Sequence, residues 1–268
     1  MIRSSLDVGV VLLMIDIYED DRLKISVVEN TEADKADSVI LSFTGLGHRV
    51  EDTHIQKPEF YGTGRAFAAT VFITDKTRSW GNALDFDVIT KLITPYIKGR
   101  KIFTIGNSMG GFNAILAGHY FPVEACVAFA PQFSVDRRVV PWEDRWSKAI
   151  ARIKSFDVGV ISDFMNDTTR YYLFSGGRGL DYFHAALFPK GPNIFHYRFN
   201  RLGHHLSGKL KKRGALDDLI RGCFEGDVIM PKGQPAEVLS PVRLRREQKE
   251  RMRLARATGR RAGAAQAG

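Results

Sequence analysis

Three residue types, in one chain order, can do chemistry in this sequence. Ser108 lies in "GNSMGG" (106–111), Asp181 in "LDYFHA" (180–185) and His204 in "LGHHLSG" (202–208). A serine hydroxyl is a weak nucleophile near neutral pH. It needs a base to take its proton, and the base needs an acid to orient it and to stabilise its cation. Ser, His and Asp fill those roles in turn. Gly106 and Gly110 stand two before and two after Ser108. Small residues at those positions let a serine occupy a sharp strand-to-helix turn, and Gly111 allows close helix–strand packing beside it. Alone, Gly-x-Ser-x-Gly is common by chance. The acid and the histidine that follow give it weight.

These residues need elements to hold them. Short apolar runs read as strands: "SVILSF" (38–43), "FAATVFIT" (67–74), "KIFTIG" (101–106), "EACVAFA" (124–130), "RYYLFSG" (170–176) and "NIFHYRF" (193–199). Between them lie helical patterns. "FDVITKLITPYI" (86–97) spaces its apolar residues for an amphipathic helix, with Asp85 as its N-cap and Pro95 predicting a kink or an early stop. "FNAILAGHYF" (112–121) is a second helix, and "LSGKLKKRGALDDLIRGCF" (206–224) closes the pattern as a helical stretch. The run 8–15 reads as a strand leading through an acidic turn to "RLKISVVEN" (22–30). Strands alternating with helices predict an α/β fold: a mostly parallel central sheet with helices on both faces, in three layers. Ligands gather at the carboxyl ends of such strands, where Ser108, Asp181 and His204 all fall.

On these motifs, residues 38–224 resemble the α/β-hydrolase superfamily, a group of serine esterases and related hydrolases that carry Ser, Asp or Glu, and His in this order. The resemblance implies a serine hydrolase that cleaves an acyl ester, with thioester and amide next in order, through an acyl-enzyme and without a cofactor. It makes Ser108 the nucleophile, His204 the base and Asp181 the acid. It places the oxyanion donors at the backbone N–H of Met109 and, in "FTGLGH" (43–48), of Leu46. Two details depart from the usual pattern: Asn107 replaces a bulkier residue or a histidine, and His205 competes with His204. His204 is preferred because it follows Gly203 directly, before the helical run begins.

The domain expected is 1–230, followed by a Pro/Gly linker and basic tail over 231–268. Residues 131–168 form a possible small cap. There Trp142, Trp146, Ile150 and Ile153 would share a helical face, and Arg137 and Arg138 would favour an anionic or polar substrate. Ordinary helix–sheet packing and a substrate-touching lid both fit this pattern.

The 268 residues are 44% apolar, enough for a real core, and the net charge is +9. Residues 241–268 hold nine basic and two acidic residues, so +7 of that charge sits in the tail. The tail reads as a solvated extension. Binding to nucleic acid or an anionic surface is its functional alternative, weakened for RNA because no aromatic is interleaved. From it comes a second functional reading, an inactive hydrolase-like adaptor that holds an anionic partner through the tail. Two cysteines far apart, Cys126 and Cys223, predict a reduced, cytoplasmic protein. The run 8–15 is too short to span a membrane and lacks a small-residue cleavage site. His48, Asp52 and His54 could form a metal group but read better as a polar loop. His184 reads as a packed or solvated helix residue.

Overall fold

The structure is a computed structural model that describes residues 13–50, 53–228, 230 and 236–238. Residues 231–235, the tail after 238 and the first part of the run 8–15 lie outside the described residues, while 236–238, expected as linker, form a strand that pairs with Tyr197–Phe199. Each of the six apolar runs noted between 38 and 199 becomes a strand. In chain order these are β1 (Met14–Glu19), β2 (Leu23–Glu29), β3 (Lys35–Phe43), a two-stranded ribbon of β4 (His48–Val50) and β5 (Thr53–Ile55), β6 (Phe67–Asp75), β7 (Lys101–Asn107), β8 (Val123–Phe129), β9 (Arg170–Gly176), β10 (Ile194–Phe199) and β11 (Ala236–Val238). All but the ribbon join one nine-stranded sheet in the order β1-β2-β6-β3-β7-β8-β9-β10-β11. The five central pairings, from β6-β3 to β9-β10, are parallel, and the outer ones are antiparallel.

Alternation along β3 builds the layers. Val39, Leu41 and Phe43 pack on one face with Ile89 and Ile93 of α2 (Phe86–Ile97) and with Phe112, Ile115 and Leu116 of α3 (Met109–Tyr120). Ile40 points the other way, into a cluster with Leu206 and Leu210 of α6 (Leu206–Lys212) and Leu219, Ile220 and Phe224 of α7 (Leu216–Glu225). Period-two side chains on a sheet buried on both faces give this three-layer arrangement. Asp85 caps α2 as expected, its side chain accepting from the N–H groups of Asp87 and Val88. Pro95 does not stop the helix early; it runs on to Ile97. The closing helical stretch is two helices rather than one, broken at Gly214, whose φ of 66° ends a right-handed helix.

Among the described residues there are also α1 (Tyr61–Gly64), α4 (Ser147–Ile150) and α5 (Leu180–Leu187), with a 3₁₀ turn at Ile161–Phe164. The helical face expected over Trp142, Trp146, Ile150 and Ile153 does not form. Trp142 lies in a turn, Trp146 caps the single turn of α4, and Ile153 lies beyond it. Local propensity does not forbid a helix here; tertiary contacts override it, because Glu143 and Arg145 turn inward to His184 and Asp181. Among the described residues no helix is long and apolar enough to cross a membrane.

Candidate active site

The turn between β7 and α3 is built around one strained residue. Ser108 has φ 57° and ψ −123°, a conformation that L-residues rarely adopt and that costs of order 1–3 kcal/mol. Its N–H donates to the Phe129 carbonyl at the end of β8 (2.8 Å), and its carbonyl accepts from Phe112 in the first turn of α3. The glycines show why the turn needs them. A Cβ on Gly106 would collide with the Gly110 carbonyl, and one on Gly110 with the Phe43 carbonyl at the end of β3.

The acid and the histidine arrive from neighbouring strands. Asp181 follows β9 in the first turn of α5, and His204 lies in the loop between β10 and α6. Gly176 lets the two loops meet: a Cβ there would lie 2.7 Å from Gly203 Cα. His204 Nε2 is 2.9 Å from Ser108 Oγ, and its Nδ1 is 2.9 and 3.1 Å from the two carboxylate oxygens of Asp181. An ionised carboxylate only accepts, so Nδ1 carries the proton and Nε2 accepts from the serine hydroxyl. His205 is exposed at the N-terminus of α6 and makes neither contact. The residue that departs from the usual pattern has a use: Asn107 Oδ1 accepts from Ser207 Oγ (3.1 Å), tying the histidine loop's helix to the turn.

Behind the acid lies a group that sequence reasoning did not single out. Arg145 donates through Nη1 to Asp181 Oδ1 (2.6 Å) and through Nε and Nη2 to both oxygens of Glu143. Glu143 Oε2 also faces His184 Nε2 at 2.7 Å, while the Phe133 N–H donates to His184 Nδ1 (3.1 Å). A ring nitrogen that accepts a backbone N–H carries no proton, so His184 is neutral and donates from Nε2 to Glu143. Burial lowers the His184 pKa, which agrees with that tautomer. Burial alone would raise the Glu143 carboxyl, but its bonds to His184 and Arg145 outweigh this and bring it down to about 2. The same contest, with His204 and Arg145 prevailing over burial, holds Asp181 below the usual carboxylate value. Trp146 stacks under the Arg145 guanidinium (4.2 Å) and beside the His204 ring (5.3 Å). Arg137 and Arg138, which the lid reading would bring to substrate, are exposed, and Arg138 is held by Asp136 of its own turn.

The loop after β3 is pinned from outside. The Gly45 carbonyl accepts from Gln56 (2.9 Å) and the Leu46 carbonyl from Arg78 (3.1 Å). Met109 opens α3, so its N–H belongs to the first-turn amides that have no intrahelical acceptor. Glu59 stands beside Gly45, accepting its N–H, and burial pushes this carboxyl up to about 7. Its folded pKa therefore lies above the unfolded value of 4.5. The ionised form destabilises the fold in full above pH 7, and that cost vanishes as pH falls toward 4.5. Glu59→Gln is expected to stabilise the protein by about 1–3 kcal/mol at pH 8 and to change little at pH 5. Denaturant unfolding at the two pH values measures this.

Among the described residues no cluster of metal-ligating side chains occurs. The side chains of His48, Asp52 and His54 lie outside the described residues.

No protein-family model matches the sequence, and none of the curated proteins compared with it does. Solved structures do match. The capsule O-acetyltransferase of Neisseria meningitidis serogroup A superposes with a TM-score of 0.52 at 12% identity, over 74% of this chain and 91% of that one. The Francisella virulence factor BioJ gives 0.52 at 14% identity, over 80% and 85%. The acylaminoacyl peptidase of Pyrococcus horikoshii gives 0.51 at 13% identity, over 80% of this chain and 41% of the longer enzyme. At such identities the likeness is one of fold.

Proposed function

We propose that this chain, which has the α/β-hydrolase fold, is a serine hydrolase that cleaves an acyl ester through an acyl-enzyme. One observation carries the reading: Ser108, His204 and Asp181 form a continuous hydrogen-bonded line of 2.9 Å steps, with the serine on a strained turn at the end of a central strand. In this reading His204 takes the Ser108 proton as Oγ attacks the acyl carbonyl. The imidazolium, held by Asp181, returns the proton to the departing alcohol. Water then repeats the sequence on the acyl-enzyme. The Met109 and Leu46 N–H groups are the proposed donors to the oxyanion, and the pinning of the Gly45 and Leu46 carbonyls favours a fixed loop there.

A fluorophosphonate probe tests the reading, because it reacts only with an activated serine. Labelling of the wild-type chain is expected, with loss in both Ser108→Ala and His204→Ala. A folded wild-type protein that never labels, or one that labels equally well without Ser108, refutes it.

A further inference from the structure

Resting on that reading, we infer that Gln132 is a further catalytic residue, a fixed donor to the nucleophile oxygen itself. Gln132 follows β8 by three residues, and its side chain is fully buried. Its Nε2 lies 3.3 Å from Ser108 Oγ and 3.2 Å from the Ala130 carbonyl, and its Oε1 lies 2.8 Å from Trp80 Nε1.

Which end of the amide faces the serine is decided by chemistry. An indole nitrogen only donates, so the amide oxygen must face Trp80. A carbonyl only accepts, so the NH₂ must face Ala130. Both constraints turn a donor toward Ser108. Trp80 is itself completely buried, at φ 52°, and packs against the tilted ring of Trp146, so the amide has a rigid support.

The consequence is a single direction of donation through the site. Trp80 donates to Gln132, Gln132 to Ser108, Ser108 to His204, and His204 to Asp181, which also receives Arg145. With a donor already on one side of Oγ, the lone serine proton is confined to the His204 side. The donor also acts on the reacting oxygen. In the last step the bond between the acyl carbon and Oγ breaks, its electron pair goes to Oγ, and the His204 Nε2 proton follows. An ester oxygen is a poor hydrogen-bond acceptor and a developing alkoxide a strong one. The Gln132 N–H therefore stabilises release of the serine more than it stabilises the acyl-enzyme.

The test is Gln132→Met, which keeps length and loses the N–H, assayed on the full chain with p-nitrophenyl acetate. Steady-state turnover is read beside the acetylated fraction of intact protein by mass spectrometry. Turnover is expected to fall about tenfold, the worth of one hydrogen bond of this kind. The acetylated fraction is expected to rise, with a burst of nitrophenolate equal to the enzyme present. Turnover unchanged, or a fall without a rise in acetyl-enzyme, overturns the proposal. If Gln132→Met does not fold, Trp80→Phe frees the amide to turn and should show the same rise in smaller degree; no rise overturns it. A wild-type chain that is neither acetylated nor labelled by fluorophosphonate refutes the hydrolase reading instead, so the two failures are distinct.

Discussion

Ser108→Ala is expected to lower kcat on an activated ester by about 10⁶-fold, with the variant still folded and still binding substrate. The size follows from the site's dependence on one oxygen. Without Oγ, His204 has no proton to take and no covalent intermediate forms. What remains is whatever water can do among the oxyanion donors. The backbone offers a control. Alanine must keep φ near 57° at this position, so Ser108→Ala retains the strain. Ser108→Gly relieves it and should be more stable than the alanine variant by about 1 kcal/mol while equally inactive. Kinetics on matched preparations, with thermal unfolding of both variants, check the pair. Residual turnover within tenfold of wild type would move the nucleophile elsewhere.

Arg145→Met should cost about 3 kcal/mol of stability and most of the activity. The guanidinium lies between two carboxylates, Glu143 with a side chain 0% exposed and Asp181 at 3%. Removing one partner of a buried ion pair leaves the other charge uncompensated, which costs more than the pair contributed. The pH dependence separates this from a loss of packing. In the wild type Glu143 has a folded pKa of about 2 against an unfolded 4.5. Its contribution is complete above pH 4.5 and is lost as pH falls toward 2. Without Arg145 the two carboxylates are pushed up instead, so the variant should gain stability as pH falls from neutral to about 5. Denaturant unfolding over that range should show no change from these two carboxylates in the wild type and a gain in the variant as pH falls. Parallel curves would mean that Arg145 acts by packing alone.

Much of the fold was legible because the central strands are nearly all apolar and the turns between them carry their own signals. The Asp85 cap and the glycines around Ser108 are local features that survive in a sequence, and the order of Ser108, Asp181 and His204 could be read because each sits in a loop just after a recognisable strand. The choice of His204 over His205 rested on one glycine, and it is His204 that the structure sets between Ser108 and Asp181. The polar groups behind those three residues were not legible. Glu143 and Arg145 are two apart in a turn with no periodicity, and Arg145 meets Asp181 across 36 positions. Gln132 and Trp80 meet across 52. Neither pairing leaves a pattern, because side chains that satisfy one another across loops obey geometry and not spacing. The expected helix through Trp142 failed for a related reason: Glu143 and Arg145 within it are held by His184 and Asp181, far along the chain.

The segment between β8 and β9 has a thermodynamic consequence of its own. It supplies Gln132, Glu143, Arg145 and Trp146 to the site, yet beyond its turns it holds only the single turn of α4 and a 3₁₀ turn. A stretch with few repeating backbone hydrogen bonds opens as a unit at a lower free energy than the sheet beneath it. On warming, the assembled site is therefore expected to be lost before the sheet, as amide exchange in 131–168 faster than in the central strands would show.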